Sequence, residues 1–130
     1  MARLPRVVLW IAAVAFAVFG IAFAAFPHQM AAPVDIQLTT DTATTDYIAT
    51  YGGFQIGFAV FLFLCLRRDD RVRLGLLASG WAAAGFAVSR ALGILLFGDV
   101  RPVLTGVLVF EAISAAVAFW AARRYSNRDP

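Results

Sequence analysis

Four apolar stretches, each close to the roughly 20 residues that carry a helix across a bilayer, limit this chain more than any other feature. They run from Val7 to Phe26, Tyr47 to Leu66, Leu74 to Phe97 and Val103 to Ala122, and the charges are clumped between them. Each is read as a transmembrane helix. The predicted fold is all-α: one transmembrane domain over residues 1–130, an integral membrane four-helix bundle. Composition agrees, with 62% hydrophobic and 15% charged residues and a mean hydropathy of +0.79. The first stretch follows Arg3 and Arg6 like a signal peptide, but it exceeds an h-region of about 7–15 residues and is read as a retained helix.

Arginine placement predicts orientation. All eleven basic residues are arginine. Arg3 and Arg6 precede the first helix; Arg67, Arg68, Arg71 and Arg73 lie between the second and third; Arg123, Arg124 and Arg128 follow the fourth. The other two connections hold only Arg101, with Asp35, Asp41, Asp46 and Asp99. Positive loops stay in the cytoplasm, so both termini are expected inside. Trp10, Trp120 and Tyr125 fall at the same helix ends, where interfacial aromatics belong. The arginine-only usage and the abundance of Ala and Gly fit a G+C-rich bacterial genome, and the expected location is a bacterial cytoplasmic (inner) membrane. The net charge of +3 therefore orients helices and is no sign of a nucleic-acid partner.

The connections differ. Loops 67–73 and 98–102 are short, which makes helices two, three and four sequential antiparallel neighbours. Loop 27–46 is long and polar. Its threonine- and aspartate-rich end is expected to cap the second helix, because these side chains accept from the first free backbone N–H groups. Alternation of Val34, Ile36 and Leu38 with polar residues suggests a segment folded over the outer mouth of the bundle.

Ionisable residues inside membrane helices are costly and usually face protein or water. Arg90 and Glu111 are two such residues. They lie ten residues before and eleven after position 100, the centre of the hairpin loop, so antiparallel helices bring them to one level. Gln55 is eight residues into the second helix from the same side. All three should sit roughly 12 Å below the outer surface at 1.5 Å per residue. Tyr51 shares the face of Gln55, and Ser114 adds a hydroxyl one turn from Glu111. The expected cluster is Tyr51, Gln55, Arg90, Glu111 and Ser114, with an Arg90–Glu111 hydrogen bond of about 2.7–2.9 Å. It serves either as a binding or proton-handling site or as a structural ion pair. Ala115, Ala118 and Ala122 extend the Glu111 stripe with small residues. Gly52, Gly53 and Gly57 are read as helix-packing positions, Gly53-x-x-x-Gly57 being a close-approach pattern.

Other chemistry is sparse. Cys65 stands alone, so no intramolecular disulfide or C-x-x-C redox pair can form. His28 has no second ligand at metal spacing, and Asp69-Asp70 reads as a solvated turn. Neither a zinc-protease helix, a nucleophile elbow nor a phosphate-binding glycine loop is present. No cofactor or metal is expected, and an enzyme is the least favoured reading.

Tyr51-Gly52-Gly53-Phe54-Gln55-Ile56-Gly57, Arg90-Ala91-Leu92-Gly93 and Glu111 together resemble the bacterial membrane family called domain of unknown function 4345, over nearly the whole chain. The resemblance implies a DoxX-like four-helix architecture. Many relatives carry an arginine three residues before the tyrosine, where this chain has Ile48. Some of the DoxX-like group act with thiol or quinone partners; the lone Cys65 speaks against a thiol role here. Three functional readings remain open: binding of an amphipathic small molecule or lipid at the Arg/Glu/Gln/Tyr cluster, a small proton-coupled transporter acting as a homo-oligomer, and a structural subunit. The lipid bilayer is the partner common to all three.

Overall fold

The computed structural model describes residues 3–126; Arg128, part of the orientation argument, lies outside them. The described chain is helical, with no strand. In order come α1 (Arg3–Ala25), α2 (Pro27–Ala31) with a 3-10 turn at Ala32–Val34, α3 (Asp41–Tyr47), a π turn (Ile48–Gly53), α4 (Phe54–Leu66), α5 (Asp69–Phe97) and α6 (Pro102–Ser126). α3, the π turn and α4 run on as a single span, Asp41–Leu66. With α1, α5 and α6 this makes four helices long and apolar enough to cross a membrane. Their outer faces are apolar: Trp81 is 70%, Leu95 80%, Leu96 76% and Phe97 84% exposed, which suits lipid as the surrounding solvent and not water.

Three helices begin earlier than hydropathy alone places them, and local chemistry accounts for two of them. The second span starts at Asp41 instead of Tyr47, so the end of the expected 27–46 loop is helix. Thr40 is the N-cap, its side chain accepting from the Ala43 N–H at 3.1 Å. The following threonines turn their hydroxyls back onto the helix, Thr44 to the Thr40 carbonyl at 3.1 Å and Thr45 to the Asp41 carbonyl at 2.8 Å. The polar run is thereby satisfied without leaving helical geometry. α5 starts at Asp69 instead of Leu74, with Asp69 and Asp70 in its first turn, where carboxylates oppose the positive end of the helix dipole. α1 reaches back to Arg3. At the far end of α5, Gly98 closes the helix in the left-handed conformation, φ 70°, donating to the Ile94 carbonyl at 2.8 Å; only glycine adopts that backbone at no steric cost. α6 then starts at Pro102, whose missing N–H costs nothing at the first helical position, and runs past Ala122 through Arg123 and Arg124.

The chain divides into two compact units. One combines the chain up to Leu9 with everything from Cys65 onward, and is built on the α5–α6 hairpin. Leu9, Cys65, Val72 and Leu76 are buried there. Gly75 permits the approach: a Cβ on it would lie 2.9 Å from both Cys65 Cβ and Leu9 Cδ2. A Cβ on Gly80 would meet the Phe119 ring at 2.9 Å, and Phe119 also packs edge-on to Trp81 at 5.2 Å. Ala115, Ala118 and Ala122, the small residues on the Glu111 stripe, are all buried.

The other unit, Trp10–Leu64, packs α1 against the second span. Phe16 meets Phe58 edge-on at 4.7 Å. Between the helices α2 turns the chain; Asp35 takes a left-handed conformation, φ 57°, its N–H donating to the Ala32 carbonyl at 3.0 Å.

Candidate functional site

The α5–α6 hairpin positions Arg90 and Glu111. Gly98 and Pro102 set the two helix ends, and each residue lies two turns or more inside its helix from there, about 12 Å at 1.5 Å per residue. The guanidinium meets the carboxylate through two hydrogen bonds: Arg90 Nε donates to Glu111 Oε2 at 3.0 Å, and Nη2 donates to Oε1 at 2.8 Å. This forked, side-on geometry is the strong form of the arginine–carboxylate interaction. The two side chains are unequally covered, Arg90 27% and Glu111 11% exposed. Glu111 is therefore the more deeply covered of the two.

Ser114 does not extend the pair as the sequence suggests. Its Oγ donates to the Phe110 carbonyl of its own helix at 2.7 Å, the usual resting place of a serine hydroxyl in a helix interior.

Tyr51 and Gln55 belong to the Trp10–Leu64 unit and face α1 within it. Tyr51 stacks on Tyr47 with centroids 4.6 Å apart and lies 5.7 Å from Phe23. Gln55 Cβ is 3.1 Å from where a Cβ on Gly20 would be. The Tyr-Gly-Gly triplet occupies the π turn, where the Phe54 N–H bonds the Ala49 carbonyl, five residues back instead of four. Such widened turns concentrate at functional sites.

The helix-packing glycines need correction. Gly52 is buried, and a Cβ on it would sit 2.9 Å from Ala24 Cβ and 3.0 Å from Ala24 N. Gly53 and Gly57 are exposed; a Cβ on Gly57 would meet nothing within 4 Å, and one on Gly53 only its own helix's Ile48 carbonyl, at 3.8 Å. The close approach belongs to Gly20 of α1, which meets Gln55 and Ile56, and to Gly52 of the second span, which meets Ala24. The G-x-x-x-G spacing does not say which of three nearby glycines faces a neighbour, and the π turn shifts the register of the helix around them.

Two further groups escaped the sequence reading. Tyr47 is only 4% exposed and packs edge-on to Phe23 at 5.9 Å; its i, i+4 spacing from Tyr51 was the available signal. Asp69 is more than a solvated turn, since its carboxylate pairs with Arg6 and its carbonyl accepts from Tyr125 Oη at 2.9 Å. At the opposite end of the hairpin Arg101 donates to Asp99 through its side chain, at 2.9 Å from Nε to Oδ2, and through its backbone N–H, at 3.1 Å to Oδ1. These bonds hold the Asp99 carboxyl below the ordinary carboxylate range.

No curated protein and no solved structure gives a significant match to the chain. The family model described as domain of unknown function (DUF4345) matches residues 4–122, a range that takes in both units' helices, the Tyr-Gly-Gly triplet and the Arg90–Glu111 pair, and the chain belongs to that family.

Proposed function

We propose that this is a small integral protein of the bacterial cytoplasmic membrane, with both termini inside, that binds an amphipathic, lipid-like molecule at Arg90 and Glu111. The carrying observation is the unequal cover of the pair. Glu111 fixes the guanidinium through Nε and Nη2, while the Arg90 side chain keeps 27% of its surface. An arginine fixed by two hydrogen bonds, its side chain not fully covered, within an apolar span suits a polar or anionic headgroup, whose apolar chain would lie along the surrounding phenylalanine- and leucine-rich helices. Glu111 acts as the orienting partner.

A second reading has one observation in its favour. The bidentate geometry satisfies Glu111 through both oxygens, as in a pair that only locks α5 to α6. Native mass spectrometry of the purified protein, with identification of co-purifying lipids and metabolites, separates the two. Binding predicts a retained molecule in the wild type that is lost in Arg90→Gln while the protein stays folded. A retained set unchanged by Arg90→Gln refutes the binding site and leaves the structural lock.

A further inference from the structure

Among the described residues, the two carboxylates at the arginine-rich end of the α5–α6 hairpin are Asp69 and Asp70, and both are engaged. Arg6 pairs with the Asp69 carboxylate and also donates through Nη2 to the Leu66 carbonyl at 2.7 Å. Arg68 lies 3.3 Å from the Asp70 carboxylate. Tyr125 Oη reaches the Asp69 carbonyl, so the end of α6 is tied to the start of α5. The start of α1, the turn before α5 and the last turn of α6 thus converge on Asp69, all within one unit.

Besides Arg3, which opens α1, five cations remain around this knot among the described residues. Arg67, Arg71, Arg73, Arg123 and Arg124 are all exposed, and none has a carboxylate within 4.0 Å among the described residues. They stand where the apolar spans of α5 and α6 end, at the level of lipid phosphates if the helices cross a bilayer. Arg124 also lies over the Trp120 ring at 5.1 Å, a cation–π pairing of two interfacial residue types. A guanidinium presents a planar fork of donors that matches a phosphodiester, and basic clusters beside membrane spans attract anionic lipids.

We propose that this end of the hairpin binds anionic phospholipid headgroups, with these five arginines as the phosphate contacts. The site is separate from Arg90 and Glu111 and does not depend on their role. Asp69 and Asp70 are engaged by Arg6 and Arg68, so among the described residues neither carboxylate is paired with the five arginines, which can meet an external anion.

The test uses the full chain in a non-ionic detergent, titrated with phosphatidylglycerol or phosphatidylcholine and read as lipid adducts by native mass spectrometry. Preferential retention of phosphatidylglycerol is expected, weakening as salt rises. The triple variant Arg71→Gln, Arg123→Gln, Arg124→Gln should lose roughly 100-fold in phosphatidylglycerol affinity, at about fivefold per arginine. The corresponding Lys variant should keep most of it, which separates loss of charge from loss of fold. Equal retention of the two lipids by the wild type overturns the proposal. So does a preference that survives the Gln substitutions, or one that inorganic phosphate at the same concentration abolishes.

Discussion

Substituting Glu111 by Gln tests the central pair most directly. The change removes the charge that faces Arg90 and keeps the size of the side chain. Arg90 then loses a bidentate partner held at 2.8 and 3.0 Å and remains within an apolar span. Breaking a buried pair from one side costs about 3–5 kcal/mol. Because the Arg90 side chain retains 27% exposure, the lower end applies, about 3 kcal/mol. The double variant Arg90→Gln, Glu111→Gln strands no charge and leaves two amides able to bond each other, at a net cost of about 1 kcal/mol. It should therefore be more stable than Glu111→Gln alone by about 2 kcal/mol. Unfolding by SDS in mixed micelles, followed by the fluorescence of Trp81 and Trp120 on the two paired helices, gives both values. If the two single changes simply add in the double variant, Arg90 and Glu111 are not energetically coupled, and the reasoning from their geometry fails.

Glycine substitutions should separate packing from exposed positions. Gly20→Ala and Gly52→Ala force a Cβ against the backbone of Ile56 and of Ala24 and should cost roughly 1–3 kcal/mol in the same assay, whereas Gly57→Ala should be neutral or stabilising by up to about 1 kcal/mol. Asp99 titrates below the ordinary carboxylate range because Arg101 bonds its charged form, so its contribution to stability is full above the unfolded carboxylate pKa and fades as pH falls through the folded value. Carbon-detected NMR titration should show that pKa rise in Arg101→Ala, and an unchanged value would remove Arg101 as the cause. Reporter fusions should place both termini and the 67–73 segment in the cytoplasm; termini on opposite sides would contradict the even number of crossings, and both outside would contradict the orientation read from the arginines.

The sequence was enough for the long-range polar pairing because that pairing follows from one-dimensional facts. A short, Gly-Asp-Val-Arg-Pro connection forces α5 and α6 side by side, and equal spacing from it brings Arg90 and Glu111 level. The cost of a charge in an apolar span then leaves each the other as partner. Helix limits were less legible. Hydropathy marks where the apolar residues stop, but Thr40, the back-bonded Thr44 and Thr45, and the first-turn Asp69 and Asp70 extend helices into polar sequence by local hydrogen bonding and dipole effects, which leave no trace in hydropathy.

By itself the sequence determined that the chain is all-helical, has four apolar spans, and carries one opposed pair of ionisable residues within them. Those are consequences of composition, spacing and the energetics of burying charge. Only the tertiary structure decided which glycine faces a neighbour, that Ser114 turns to its own backbone, that Tyr-Gly-Gly sits in a π turn, and that Asp69 ties three chain segments together. Each of these depends on rotation about a helix axis or on which segments meet in space, and a shift of one residue rotates a side chain by about 100° around the helix. Spacing in a sequence cannot resolve that angle once a π turn intervenes, whereas packed side chains do.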